Sequence, residues 1–329
     1  MMRMRDWPGC NFVMGTKVRY RVKMSAIDSS SARAVIPATQ GDRIALNAFF
    51  PTWMSQRIGY SAWLVVEGGD EPEVVGAAIL EDSLDGTGED AGLVMDIGAI
   101  DDSTLAEVLD DLLEEVLGTV RACGAPAVKI NSSSRGAKSS AMLLDRGFVV
   151  TETFDTYQVS LLPALEYLQN FLGRIRGKVR SRATWSLMPA IARDAEAIAE
   201  SWRAWIGGSF ERKYQQLRYR LNSEADQDED VTTSVLALDG ELLVGLVIAG
   251  IVDEETLVVH GQAVAPALRM DPLHAELLET VLVRARDRGA TRIRFEAGRS
   301  QPNTLRVAAR HQADVLSSVP SLRRVVDQA

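Results

Sequence analysis

The chain has 329 residues, 46% of them hydrophobic and 25% charged, with a formal net charge of −9; that length accommodates two domains of about 150 residues. The acidity excludes general nucleic-acid binding, which needs Lys and Arg concentrated enough to displace counterions from phosphates. The longest apolar stretch, Leu242 to Val252, falls short of the roughly 20 residues of a membrane-spanning helix, so neither nucleic acid nor membrane is an expected partner.

Met1 to Met24 carries Arg3, Arg5, Lys17, Arg19, Arg21 and Lys23 against Asp6 alone, and reads as a basic extension (1–24) outside the fold. Trp7, Pro8, Gly9 and Asn11 interrupt any apolar core that a secretory signal would need. The cysteines, Cys10 and Cys123, do not make a disulfide framework. A cytoplasmic location is the expectation.

Ala34 to Pro37 predicts a short strand, and a helix starts near Gln40 to Asp42. Trp63 to Val66 and Val74 to Leu80 flank Gly68-Gly69-Asp70, the pattern of a hairpin. A strand follows at Leu93 to Ile100. Ser103 can cap the next helix, where Leu105, Val108, Leu109, Leu112, Leu113 and Val116 recur at helical spacing, and Gly124 ends it. Val128 to Asn131 predicts a strand, Ser139 to Asp145 a helix, and Gly147-Phe148 opens an extended run to Leu161.

Leu162 to Arg182 predicts a helical connector ending in Arg174, Arg176, Lys178, Arg180 and Arg182, either a solvated face or a phosphate-binding patch, the former being the commoner. Thr184 to Leu187 opens the next strand. An amphipathic helix runs from Ala192 to Trp205 with a helical region reaching Leu221. The acidic loop Glu224 to Asp230 carries no assigned chemistry. Trp202, Trp205 and Phe210 line either a core or a substrate groove, the core being the commoner fate of such a stripe.

The chain repeats itself. Leu93 to Ile100 matches Leu257 to Val264 at an offset of 164, with Asp96 opposite His260. Downstream, Gly124-Ala125 and Val128-Lys129-Ile130 match Gly289-Ala290 and Ile293-Arg294-Phe295 at 165. Upstream, Val74 to Ile79 matches Leu243 to Ile248 at 169. A duplicated α/β domain follows, with a first copy over 25–161, a basic helical linker over 162–183 and a second copy over 184–329.

The element order of each half resembles the GCN5-related N-acetyltransferase (GNAT) fold, a mixed-sheet α/β architecture here present as two tandem copies. Val264-Ala265-Pro266-Ala267-Leu268-Arg269-Met270-Asp271-Pro272-Leu273-His274 is similar in frame to the family's strand-end Val-x-Pro followed by Arg-Gly-x-Gly-Ile-Gly. Gly147-Phe148 resembles the Gly-Phe after the family's last helix, and Asn303 stands at the place of the family's Asn at that helix's start. The resemblance covers the chain from Ala34 onward.

That resemblance implies transfer of an acetyl or other acyl group from acyl-CoA, acetyl-CoA or another, to an amine of a small molecule or peptide. The implied cofactor-binding residues are Val264, Arg269, Met270, Asp271, Leu273 and His274 around the pyrophosphate turn, at a helix N-terminus that favours negative charge, and Asn303 near the pantetheine. His260 and Asp96, on the long strands, are the candidate catalytic bases; each has the alternative of a structural role. His274 is open to a capping or surface role, and His311 to a dipole interaction.

Departures from the pattern fall at the same turn. The family's glycines are Met270, Pro272 and His274 here, and Pro272 has no N–H to donate. The first copy has Asp101-Asp102-Ser103-Thr104, two carboxylates where a diphosphate would sit, and is expected to be degenerate. The family's Tyr on the last helix corresponds to Leu143 in the first copy and to Arg310 in the second. A non-catalytic GNAT-like binding or assembly protein is therefore the alternative expectation. Three histidines without a Cys or carboxylate at ligand spacing predict no zinc site.

Overall fold

The computed structural model describes residues 33–50, 60–68, 72–83, 92–130, 137–176, 185–191, 194–207, 213–214, 216–218, 220–221 and 233–326. The extension 1–24, Gly69-Asp70, Asn131, Lys178, Arg180, Arg182, Phe210 and the loop 224–230 lie outside the described residues. The chain divides into two compact units, the first holding the described residues up to Thr151 together with those from Ser321, the second holding Glu152 to Pro320.

In the first unit, β1 (Arg33–Pro37), β2 (Tyr60–Glu67), β3 (Glu73–Ser83) and β4 (Gly92–Ala99) form an antiparallel run. The helix α1 (Arg43–Phe49) packs on one face, with Ala45, Leu46 and Phe50 against Leu64, Ala77 and Ile79. On the other face lies α2 (Asp102–Ala122), whose buried residues Leu105, Val108, Leu109, Leu112, Leu113, Val116, Leu117 and Val120 form one apolar stripe. Burying each such side chain is worth about 1.5–3 kcal/mol, and the three-and-four spacing that predicts the helix also predicts this stripe. Gly124, at φ +67, closes the helix. Strand β5 (Ala127–Ile130) then runs parallel to β4.

After α3 (Ala137–Leu144), strand β6 (Val149–Ser160) leaves the first copy and pairs antiparallel with β11 (Arg292–Gly298) in the second unit. The last strand, β12 (Asp314–Val325), makes the reciprocal crossing, with Leu322 to Val325 pairing with β5 in the first unit. Sequence reasoning ends the first copy at Leu161 and gives the second the rest to the C-terminus. The two copies in fact exchange their last strands. Nothing in either strand's composition marks this, because both strands pair with a partner distant in the chain.

The second unit repeats the plan. After α4 (Leu161–Arg176) come β7 (Ser186–Pro189), α5 (Ala195–Trp205), β8 (Val235–Asp239), β9 (Leu242–Ile251) and β10 (Thr256–Val264), then α6 (Leu273–Asp287), β11 and α7 (Pro302–Arg310). The strand order is β6-β11-β10-β9-β8-β7. Leu273, Leu277 and Val281 of α6 pack with Leu161 and Leu165 of α4 on one face, and Ile198 and Ala199 of α5 pack with Leu217 and Leu221 on the other.

One glycine pair sets how closely the helices approach. A Cβ at Gly245 would lie 2.9 Å from Leu277 Cδ1, and one at Gly76 would lie 3.1 Å from Val108 Cγ2. The offset of 169 relates both members of these pairs. Each copy therefore uses a bare backbone under the first turns of its helix to bring the helix start down onto the sheet.

Candidate active site

The parallel pairing of β10 with β11 stops early. It runs from Thr256↔Arg292 to Val259↔Phe295, and β10 continues five residues beyond it to Val264. On its other edge β11 stays paired with β6 along its whole length, with Phe295 opposite Tyr157 and stacked on it at 5.6 Å between ring centroids. The two strands therefore fork at Val259 and Phe295. His260 and Glu296 are the next residue on each arm.

A β-bulge sits at that fork. Val259 is opposite Ala249 but Gly261 is opposite Ile248, so His260 is the inserted residue. In consequence His260 and Gly261 both line a small pocket open to solvent, with Trp202, Lys213, Gln216, Leu217, Arg220 and Ile248. Beyond the bulge alternation resumes, with Ala263 in the core under α5 and Val264 in the core under α6. The bulge is also the one-residue change in the repeat offset. Ile100 N–H donates to Val75 O and Ala265 N–H donates to Val244 O, so Ile100 matches Ala265 at 165, not Val264 at 164.

Those two hydrogen bonds fix which way the backbone faces. Because N–H and C=O groups alternate sides along an antiparallel strand, Gln262 and Val264 turn theirs away from β9 and into the fork. Their counterparts in the first copy are Ile97 and Ala99. In that copy, among the described residues, β4 pairs with β5 as far as Met95↔Ile130. It has no bulge, since β3 and β4 keep one register throughout. Asp96, only 4% exposed, places Oδ1 3.0 Å from the N–H of Ile97. The fork-facing donor of the first copy thus carries its own carboxylate.

The helix starts differ in the same sense. In the first copy Asp101 caps α2, accepting from Thr104 N–H at 2.7 Å and from Ser103 Oγ at 2.7 Å. These bonds hold the Asp101 carboxyl at about 2, below its usual 3.8. In the second copy α6 has Pro272 at its N-cap and no side-chain cap, and the first helical N–H groups have no partner within the helix.

The residues expected around this turn take distinct positions. Arg269 donates from Nη2 to Trp205 O at 2.8 Å, tying the turn to the end of α5. Arg269 and Asp271 use their own N–H groups inside the turn, on Pro266 O and Leu268 O. Met270 is 98% exposed, whereas the Leu273 side chain is fully buried beneath the helix. His274 Nε2 lies 2.8 Å from Gln262 Oε1, which links the helix start to the fork strand. Asn303 sits in the first turn of α7, where Oδ1 accepts from Arg306.

The tyrosine position on the last helix needs a correction. Gln312, at φ +49, ends α7 as Gly147, at φ +82, ends α3, again at an offset of 165. Leu143 then corresponds to Ala308, not to Arg310, and both are buried apolar residues. The two helix ends confirm the match, since Phe148 N–H donates to Leu143 O and Ala313 N–H donates to Ala308 O. Arg310 instead hydrogen-bonds the Tyr167 hydroxyl of α4 and lies over its ring, with His311 edge-on to the same ring.

Electrostatics distinguish the acceptor face of the fork. Burial, with the positive charges of Arg220 and Lys213, pushes His260 down to about 3 from an ordinary 6.5. Burial also lowers the Arg220 guanidinium, opposed by the charge of Glu296. Lys213 Nζ sits 3.9 Å over the Trp202 ring. Trp202, expected mainly in the core, packs on that core and lines the pocket as well. Lys213, Arg220, Glu296 and Gln262 were not singled out from the sequence. The repeat held a signal for two of them: Gln262 lies inside the matched strand Leu257 to Val264, and Glu296 follows the matched Ile293-Arg294-Phe295.

Among the described residues no group of three His, Cys, Asp or Glu could hold a metal ion, and no helix is long and apolar enough to cross a membrane. Residues 199–312 match the acetyltransferase (GNAT) family. No curated protein matches the chain significantly. Among solved structures, a GCN5-related N-acetyltransferase from Sphaerobacter thermophilus aligns with TM-score 0.54 and 14% identity, over 90% of this chain and 96% of that one. A tandem GNAT protein from the clavulanic acid biosynthesis pathway aligns with 0.51 and 13%, over 90% and 99%. A probable N-acyltransferase from Enterococcus faecalis V583 aligns with 0.59 and 11%, over 91% and 74%. The chain thus has the fold of two GNAT units in tandem, and within the second of them residues 199–312 are similar to the acetyltransferase (GNAT) family.

Proposed function

We propose that the protein transfers an acetyl or other acyl group from acyl-CoA to an amine, and that the second copy carries the chemistry. The observation that supports this assignment is the contrast at two equivalent places. In the second copy the fork strand turns the Gln262 and Val264 backbone into the opening and the helix start has no side-chain cap; in the first, Asp96 takes the Ile97 N–H and Asp101 takes the Thr104 N–H at the helix start. An anionic cofactor would meet N–H groups in one copy and carboxylates in the other.

In this proposal the pyrophosphate lies at the start of α6, against the N–H groups of Leu273 and His274 and the positive end of the helix. The pantetheine arm enters the fork along Val264. The amine lone pair attacks the thioester carbon; a C–N bond forms, the C–S bond breaks and the thiolate leaves. The Gln262 N–H is positioned to stabilise the intervening oxyanion, as a fixed dipole that needs no reorganisation.

His260 fits an orienting role better than the base role expected of it. An imidazole at about 3 is neutral at physiological pH and accepts a hydrogen bond from the amine, yet it is too weak to retain an ammonium proton. Glu296, next in register on the other arm, is the proposed proton acceptor. Asp96 takes no part in the transfer.

The test is thermal unfolding with acetyl-CoA. Ligand at 100 times its dissociation constant adds about 2.7 kcal/mol to the state that binds it, so the unfolding temperature should rise by several degrees. No shift at millimolar acetyl-CoA, with none for longer acyl-CoAs, would favour the non-catalytic binding or assembly alternative.

A further inference from the structure

His274 and Gln262 are joined from ring Nε2 to Oε1 at 2.8 Å, and the bond reaches from the first turn of α6 to the fork strand β10. A carboxamide oxygen only accepts, so Nε2 carries the proton. With Oε1 turned to the ring, the nitrogen of the same planar group faces away from it and presents two N–H donors. Alternation along β10 puts this side chain on the face of Val264, which lies under α6. That is the face of the helix start; the pocket at His260 is on the other.

The first copy shows that the fold does not require a polar pair at this place. Gln262 corresponds to Ile97 at the offset of 165, and His274 to Leu105 at the offset of 169 that also relates Val108 to Leu277. Ile97 and Leu105 are both buried and belong to one apolar cluster. Gln262 is half-buried and His274 exposed. Apolar side chains tie helix to strand by leaving water, whereas an exposed hydrogen bond adds little to stability because water competes for both partners. The second copy has therefore given up packing here and gained a pair of oriented donors.

These donors lie on the path between two positions already assigned. The diphosphate is placed at the start of α6 and the thioester in the fork, beside the Gln262 backbone. The part of acyl-CoA that has to run between them is the pantetheine arm, whose polar groups are two amides and hydroxyls. An amide carbonyl is the acceptor that a carboxamide N–H matches.

We propose that the Gln262 side chain binds an amide carbonyl of the pantetheine arm, and that His274 is a positioning residue that sets the orientation of that side chain. The proposal rests on the assignment of acyl transfer to the second copy. The Gln262 backbone N–H aimed at the oxyanion is a separate group, and it stays when the side chain is replaced.

The test is isothermal titration of acetyl-CoA, and of ADP as a diphosphate without the arm, into the full chain. The double variant Gln262→Ile with His274→Leu rebuilds the first copy's apolar pair, so its unfolding temperature should equal or exceed that of the wild type. Acetyl-CoA binding is expected to weaken at least ten-fold, and ADP binding to change less than three-fold. Among single variants, His274→Gln retains an N–H donor and should recover most of the affinity that His274→Leu loses.

Undiminished acetyl-CoA binding by the double variant overturns the proposal while the transferase assignment stands. Equal weakening of ADP overturns it as well, because the pair then acts on the diphosphate. If His274→Gln binds no better than His274→Leu, the positioning role falls. A wild type that binds no acyl-CoA removes both this inference and the assignment on which it rests.

Discussion

The Asp96 carboxylate accepts the backbone N–H of Ile97 at 3.0 Å, and its counterpart strand in the second copy carries an inserted His260 followed by Gly261. A buried carboxylate on the donor and a second one, Asp101, on the helix start make the first copy self-sufficient. The Ile97 and Thr104 N–H groups are taken by these two side chains. This is a structural solution to the problem that a bound acyl-CoA solves in an active copy.

The Asp101 cap should show as an acid-dependent term in stability. Its carboxyl is held at about 2 against 3.8, so the cap stabilises fully above about pH 4 and is lost as pH falls through the folded value. Asp101→Ala should therefore unfold at lower temperature than the wild type at pH 6. The gap should close between pH 4 and pH 2, as followed by circular dichroism.

His260 has the opposite charge type and a related sign. The folded state keeps it neutral down to about 3, whereas the unfolded chain takes up a proton near 6.5, so folding is opposed progressively below pH 6.5 by up to about 1.4 kcal/mol per pH unit. Lys213, Arg220 and Glu296 set that local field. His260→Gln should flatten the acid limb of stability over this range. By proton NMR the His260 ring should show no titration above pH 5 in the native protein.

Gly261→Ala should cost activity through Trp202. The added methyl would stand 2.6 Å from the indole and must displace the ring or the bulge, with a stability loss of about 1–3 kcal/mol for overpacking. Steady-state kinetics should show a fall in kcat, while acetyl-CoA affinity changes less than three-fold, because the indole lies on the acceptor face of the strand.

Gln312 occupies a left-handed backbone conformation at φ +49, where its counterpart in the first copy is glycine. L side chains pay about 1–2 kcal/mol there. Gln312→Gly should raise stability to urea by about 1 kcal/mol, with no change in cofactor affinity.

Much of this architecture is legible in the residues themselves. The periodicity from Leu105 to Val116 places α2, and the repeat pairs Gly76 with Gly245; it also sets Asp96 opposite His260, which the register corrects to Gly261, with His260 inserted before it. Even the bulge is written in the sequence, as the change of offset from 164 to 165 between His260 and Gly289, but the text cannot say at which residue the extra one is inserted. The strand exchange is not legible, because β6 and β12 have equally suitable partners in either copy and only the closed hydrogen-bond register chooses between them. Lys213 and Arg220 were missed for a related reason: charged residues on a helical stretch acquire meaning only once His260 is seen across the pocket.

Isothermal titration of acetyl-CoA into the wild type and Pro272→Asp tests the central claim most directly. Asp at the N-cap of α6 would reproduce the Asp101 cap of the first copy and is a favourable helix start, so this variant should fold at least as well as the wild type. One equivalent of acetyl-CoA per chain in the wild type, and binding weakened at least ten-fold in Pro272→Asp, is the predicted result. Two equivalents in the wild type, or undiminished binding in Pro272→Asp, would contradict it.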